Sequence, residues 1–154
     1  MKMVFAAGFV AIGVLVGAPA AAHGYGKGDL QVRHPWTRAT PPGARVAAGY
    51  LELRNSGKEP DRVTGASTPV GERVELHVMS RGGDVMKMRE VKGFEVPARQ
   101  RLVLRPGGSH LMIVGLSRPL VKGERIPLTL RLERAGELRI ELEVQPADSG
   151  KPHH

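Results

Sequence analysis

Cysteine is absent from all 154 residues of the sequence. Its absence excludes a disulfide framework, an iron–sulfur cluster, a cysteine nucleophile and the thiolate-ligated blue-copper centre used for electron transfer. The fold must therefore be held by its core alone.

Long apolar runs are also lacking, except at the N-terminus. Lys2 precedes an apolar stretch, Val4 to Val16, and small residues follow from Ala18 to Ala22. This order is typical of a secretory signal peptide, and the run is shorter than the about 18–20 residues of a membrane span. We therefore expect residues 1–22 to be removed on export to the periplasm, with no stable membrane insertion of the mature protein.

Acidic residues are outnumbered, with 15 Asp and Glu against 23 Lys and Arg, a net charge of +8 that becomes +7 when Lys2 leaves. The arginines are spread along the chain, and few aromatics follow the signal peptide: Tyr25, Trp36, Tyr50 and Phe94. A nucleic-acid interface is therefore not expected. The charge should solvate the surface or steer the protein to an acidic partner.

Helical periodicity is missing after the signal peptide. Short β-rich runs recur instead, separated by turns rich in glycine and proline: 31–37, 47–54, 73–79, 85–91, 101–104, 110–115, 126–133 and 137–144. This spacing predicts an all-β sandwich or barrel. We expect a monomer with a single domain at 29–145, a short mobile N-terminus at 23–28 and a flexible tail at 146–154.

Methionine and histidine are concentrated in one part of the mature chain. Every methionine after Met3 lies between Met79 and Met112, in three i, i+2 pairs: His77-x-Met79, Met86-x-Met88 and His110-x-Met112. Core methionines scatter wherever a gap needs filling, so this clustering indicates another role. Thioether and imidazole without thiolate form a ligand set suited to Cu(I).

The Gly82-Gly83 dipeptide predicts the hairpin that arranges these residues. With those two glycines as the loop, Met79 faces Met86 and His77 faces Met88. All four side chains then share one face, because residues two apart lie on the same side of a strand. The other face carries apolar residues expected to pack in the core: Val74, Leu76 and Val78.

These residues resemble the bacterial PCuAC copper chaperones. The family signature is His, ten residues, Met, twenty-one residues and His-x-Met, and it is met by His77, Met88, His110 and Met112. The surroundings match as well, in 34–40, 48–50, 74–77, 85–89, 106–112 and 116–120, so the resemblance covers about residues 29–144. It implies a cupredoxin-like Greek-key fold that binds one Cu(I) through those four residues. Met79 and Met86 lie outside the signature and are accessory candidates.

The resemblance also implies a function. A chaperone of this family carries copper to the binuclear copper centre of a cytochrome oxidase, often beside a Sco-type protein. Two alternatives stay open: a periplasmic copper buffer with the same site, and a copper enzyme built on His23 at the mature N-terminus. No Ser/His/Asp order, phosphate loop or paired-carboxylate signal points to catalysis, so we expect a carrier and not an enzyme.

The remaining candidates are weaker. His23, His153 and His154 are possible Cu(II) ligands, since an N-terminal or terminal histidine can chelate this ion. His34 precedes Pro35 in the first predicted strand and is interpreted as structural. Trp36 is interpreted as a core aromatic.

Overall fold

The computed structural model describes residues 24–150, which form eleven β-strands; no helix occurs between these two residues. The strands are β1 Gly24–Lys27, β2 Leu30–Arg38, β3 Val46–Asn55, β4 Asp61–Ser67, β5 Arg73–Gly82, β6 Val85–Val91, β7 Phe94–Val96, β8 Arg101–Leu104, β9 His110–Val114, β10 Arg125–Leu132 and β11 Gly136–Gln145. Within this range no helix is long and apolar enough to cross a membrane. The predicted signal peptide, His23, His153 and His154 lie outside the described residues.

Seven of the strands close into a barrel. Around the ring the order is β2, β11, β10, β4, β5, β9 and β3, and β3 pairs again with β2. The β2–β11 pair is parallel and the others are antiparallel. The contact between β4 and β5 is the weakest, with the single register pair Ala66 and Val74. Strands β1, β6, β7 and β8 lie outside this ring and pair with β2, β5, β4 and β3, respectively.

An aliphatic core fills the barrel. Strands β10 and β11 show the simplest pattern, because every second residue is buried: Ile126, Leu128, Leu130 and Leu132, then Leu138, Ile140, Leu142 and Val144. Each such side chain contributes about 1.5–3 kcal/mol when fully buried. Phe94 is the one phenylalanine among the described residues. The expectation that Leu76 faces the core is confirmed, and Val74 and Val78 pack against it partly buried.

A buried carboxylate fixes strand β4, which the sequence analysis did not predict. Asp61 accepts backbone hydrogen bonds from Arg62 at 2.7 Å, Arg134 at 2.9 Å and Ala135 at 3.1 Å. Such bonds satisfy a polar group that would be costly to bury alone. They connect the start of β4 to the turn between β10 and β11.

A bulge in β2 lets this strand serve two neighbours. The β2–β3 register shifts between Arg33 and Trp36, and His34 there has a positive φ of 50°. After the bulge β2 continues alongside β11, starting with Trp36 opposite Glu143. His34 is exposed at this irregularity. Trp36 is only half-buried and lies outside the core cluster, so its interpretation as a core aromatic was wrong.

Candidate metal site

The two histidines of the signature face each other. Strands β5 and β9 are antiparallel with His77 directly opposite His110, and the ring centroids are 5.5 Å apart. His110 is buried, and the side chain of His77 is 12% exposed. The sheet therefore holds two imidazoles side by side near the surface.

Hydrogen bonds determine which ring nitrogens are free. His77 Nε2 lies 2.8 Å from Glu75 Oε2, and His110 Nδ1 lies 2.9 Å from the carbonyl oxygen of Gly108. A carboxylate and a carbonyl only accept, so both of these nitrogens carry the proton. In the neutral rings the lone pairs are then on His77 Nδ1 and His110 Nε2, and a metal ion binds such a lone pair.

One of these free nitrogens has no partner. His77 Nδ1 is buried without a hydrogen bond, and among the described residues only one other buried side-chain nitrogen or oxygen shares this condition, Arg62 Nε. A buried, unpaired polar atom is costly and calls for an explanation. A soft cation bound at Nδ1 would supply the missing partner.

Glu75, which is not one of the predicted ligands, hydrogen-bonds to His77 and orients its ring. Its Oε1 accepts a hydrogen bond from Arg73 Nε at 2.8 Å while Oε2 contacts His77. The hydrogen bond from His77, reinforced by that from Arg73, keeps the pKa of the Glu75 carboxyl below its usual value. A carboxylate behind a ligating histidine is a common arrangement, since it fixes both the tautomer and the ring.

Met112 lies beside the histidine pair. It follows His110 by two residues, so both side chains are on one face, and its register neighbours are Glu75 on β5 and Ala48 on β3. Its side chain is half-buried.

Met88 lies on the outer strand β6, and here the predicted register was wrong. The loop is Gly83-Asp84 and not Gly82-Gly83, so Met79 faces Met88 and His77 faces Glu90. The reason is the turn type: Gly83 has φ of 66° and Asp84 has no positive φ, which fits a type II′ turn with glycine at its first central position.

The observed pairing differs by two residues from the predicted one, and the four side chains still share one face. Met79, Met86 and Met88 remain on the same face as His77, because a shift of two preserves the alternation of side chains. Met88 is 50% exposed and Met86 is 46% exposed. Met88 is thus diagonal to His77, a spacing that a long side chain can bridge.

An aromatic row that the sequence analysis missed continues this face. Tyr50 lies 6.5 Å from His110 and Trp36 lies 4.7 Å from Tyr50, between ring centroids. The Arg38 guanidinium stacks over both, 5.8 Å from Trp36 and 5.6 Å from Tyr50, and donates to the carbonyl oxygen of Ser149 at 2.6 Å. Burial raises the pKa of the Tyr50 hydroxyl, and the charge of Arg38 partly offsets this. In the sequence, the one sign of this row is the i, i+2 spacing of Trp36 and Arg38, which puts both side chains on the same face of a strand.

The donor set of this face favours a soft cation. In the part of the chain that the structure describes, no three His, Cys, Asp or Glu side chains converge as a metal site. The sulfur of Met112, on the same face, is available to complete the coordination of a metal bound at the two histidines. Imidazole with thioether suits Cu(I) and not Mg²⁺ or Ca²⁺, which take oxygen ligands.

Comparison with known sequences gives a family match. The sequence profile of the LpqE-like family, whose description is that of a lipoprotein, matches residues 30–144. A protein of Leifsonia xyli subsp. xyli (strain CTCB07), also named as a lipoprotein, is 37% identical over 122 residues, which cover 77% of this chain and 72% of that protein. These names indicate an exported protein.

Solved structures are similar over most of the barrel. The copper-bound PCuAC domain from PmoF2 is 30% identical, with a TM-score of 0.72, over 81% of this chain and 99% of that domain. The Cu(I) form of DR1885 from Deinococcus radiodurans is 30% identical, with a TM-score of 0.62, over 82% of this chain and 83% of that protein. The predicted cupredoxin-like, all-β fold is confirmed.

Proposed function

Because this chain belongs to the LpqE-like family, we propose that it is a PCuAC-type metallochaperone that binds one Cu(I) and passes it to another protein. Membership confirms the resemblance to the PCuAC family drawn from the sequence. Two of its structural neighbours are named as copper-bound and Cu(I) forms. The ligands that we propose are His77, Met88, His110 and Met112.

The observation that carries this proposal is the pair of opposed imidazoles. Their free nitrogens, His77 Nδ1 and His110 Nε2, are set by hydrogen bonds to Glu75 and Gly108. Met112 lies on the same face, and Met88 on the outer strand is diagonal to His77 on that face. A preset pair of nitrogens reduces the ordering cost of binding.

The chemistry of the ligands favours a carrier. Neutral imidazoles and thioethers stabilise Cu(I), and without thiolates the hold on copper is weaker than that of a cysteine-containing site. Copper can therefore move downhill to an acceptor with thiolates. The half-exposed Met88 gives such an acceptor access from solvent.

We propose the copper centre of a cytochrome oxidase as the recipient, directly or beside a Sco-type protein, with transfer in the periplasm. The N-terminal sequence pattern supports export, and the net charge supports docking to an acidic domain. Opposite charges speed encounter, and salt screens this attraction.

A transfer assay tests the proposal. Anaerobic Cu(I)-loaded protein is mixed with a reduced, metal-free oxidase copper domain, and copper on each protein is measured after separation. We expect copper on the oxidase domain, with a rate that falls as salt rises. Copper that stays on this protein at equilibrium, with this and with a Sco-type acceptor, would contradict delivery and favour the buffer. Oxygen consumption by the loaded mature protein would favour the enzyme.

A further inference from the structure

Strand β6 is an exposed strand with both apolar and charged side chains. Six large hydrophobic side chains of the described chain are exposed, and three of them are on β6: Val85 at 57%, Met86 at 46% and Met88 at 50%. Met86 and Met88 share the face of His77, and Val85 lies on the opposite face. Exposed apolar side chains grouped on one strand indicate an interaction site.

The outer edge of β6 is open. Among the described residues this strand pairs only with β5, along the seven register positions from Leu76–Val91 to Gly82–Val85. Gly82 and Val85 flank the two-residue turn and form a hydrogen-bonded pair. Hydrogen-bonded and non-hydrogen-bonded pairs alternate along an antiparallel ladder, so the pairs of Met86, Met88 and Glu90 with β5 are not hydrogen-bonded. The backbone N–H groups of Met86, Met88 and Glu90 therefore point away from β5.

A cleft lined by charged side chains of both signs borders this edge. It has a volume of about 640 Å³ and lies where the barrel opens between β4 and β6. Its charged lining residues are Glu75, Glu90, Lys92 and Arg131. The guanidinium of Arg131 lies where a Cβ on Gly65 would stand. On the β6 face away from the methionines, Lys87 and Arg89 are exposed.

We propose that the edge of β6 is the docking strand for the copper acceptor, which adds an extended, acidic segment to it. Addition of a strand to a free edge supplies main-chain hydrogen bonds, and alternate side chains supply specificity. The open amides and the apolar side chains favour an added strand. Around the edge the two cations of the cleft balance its two carboxylates, and the exposed Lys87 and Arg89 of β6 give the excess of positive charge that favours an acidic segment. This inference rests on the proposed function, because it assumes that copper leaves this protein for another.

Docking at this edge places the acceptor at the copper ligand. Side chains directly opposite on paired strands are about 4.5–5.5 Å apart at Cβ, so a residue of the added strand lies beside Met88. If that residue is a cysteine, its thiol releases a proton to water, a Cu(I)–thiolate bond forms and the Cu(I)–thioether bond to Met88 breaks. Copper stays Cu(I) throughout, and no oxidant is needed.

The substitution Glu90→Pro removes the backbone N–H of residue 90, one of the three that point away from β5. Proline is tolerated at strand edges where its missing N–H faces solvent. The matched control is Glu90→Ala, which removes the same carboxylate and keeps the amide. Arg89→Pro is a second control. The backbone N–H that it removes belongs to the pair with Val78 inside the hairpin, so this variant measures the effect of disrupting the β5–β6 hairpin itself.

The experiment measures Cu(I) affinity and transfer separately. The acceptor is the reduced, metal-free oxidase copper domain, and transfer is followed by stopped flow below saturation. We expect Glu90→Pro and Glu90→Ala to bind Cu(I) alike, and transfer from the proline variant to be about tenfold slower, the effect of about one lost hydrogen bond. Equal transfer rates from Glu90→Pro and Glu90→Ala would overturn the docking proposal and leave the proposed function intact. No transfer from the unsubstituted protein would instead overturn the proposed function, and the docking proposal with it.

Hydrogen exchange gives a second measurement that needs no variant. The amides of Met86, Met88 and Glu90 should become protected when the acceptor is added, and those of Lys87 and Arg89 should change little. Unchanged exchange at the three outward amides in a complex would overturn the proposal. Protection of the same amides in the protein alone, rising with its concentration, would overturn it in favour of a second copy of this chain.

Discussion

His77 and His110 lie directly opposite each other on β5 and β9, with ring centroids 5.5 Å apart and their free nitrogens set by separate hydrogen bonds. Each ring is oriented by an acceptor two residues earlier in the chain, Glu75 for His77 and Gly108 for His110. These two local hydrogen bonds therefore fix the orientation of both imidazoles of the pair. Its predicted consequences can be measured one at a time.

Glu75→Gln should weaken Cu(I) binding without unfolding the protein. An amide accepts less strongly than a carboxylate and can donate to Nε2, which would place the proton of His77 on Nδ1. Partners of ligating histidines typically contribute about 10–100-fold in metal affinity. The affinity is measured by competition with a chromophoric Cu(I) chelator.

The control for this substitution is Glu52→Gln, which removes another β-strand glutamate in an ion pair, 3.6 Å from Arg101. Its Cu(I) affinity should equal that of the unsubstituted protein. Equal affinities for the Glu75 and Glu52 variants would show that the carboxylate does not position His77.

The hairpin register can be tested with disulfides, because the chain has no cysteine of its own. Arg81 faces Met86, so Arg81→Cys with Met86→Cys should oxidise readily to an intramolecular bridge. Met79→Cys with Met86→Cys, opposite in the register first predicted, should not, since diagonal residues exceed the Cα spacing that a disulfide spans. Mass spectrometry after mild oxidation distinguishes them, and the reverse result would restore the earlier register.

Arg38→Gln should destabilise the fold. It removes the cation above Trp36 and Tyr50 and the hydrogen bond to Ser149, an expected loss of about 1–2 kcal/mol. Urea unfolding measures it, with Arg54→Gln as the exposed control on β3. Equal midpoints in the two variants would mean that the stacking contributes nothing measurable.

Glu75 should also make stability depend on pH in the acid range. Its pKa is lowered in the folded state, so its contribution is present above the unfolded value of about 4.3 and is lost as the pH falls through the folded value. The difference in free energy of unfolding between the unsubstituted protein and Glu75→Gln should therefore shrink from pH 6 to about pH 3. A difference that grew on acidification would contradict the shift.

The sequence predicted the face of the hairpin better than its register. Alternation places His77, Met79, Met86 and Met88 on one side for any even shift, and apolar residues on the other side fix which side that is. The loop position depends on which residues adopt positive φ. Two adjacent glycines left that choice open, and only Gly83 of the turn does so at 66°.

Other features depend on contacts that are distant in sequence. Strand β4 reads DRVTGAS, with two charged residues and a glycine that obscure the pattern, and Asp61 there is satisfied by backbone groups 73 and 74 residues away. The partner of His77 was within two residues, yet its protonation could not be inferred from spacing. The half-buried position of Trp36 follows from the bulge at His34, which no local signal predicted.

The most direct test of the central claim is an anaerobic Cu(I) titration of residues 23–154 with X-ray absorption of the loaded protein. The proposed site predicts one tightly bound Cu(I) with a mixed nitrogen and sulfur shell. In a folded variant carrying Met88→Ala and Met112→Ala, the affinity should fall strongly and sulfur should leave the shell. Unchanged affinity in that double variant, or a shell without sulfur in the unsubstituted protein, would contradict the assignment.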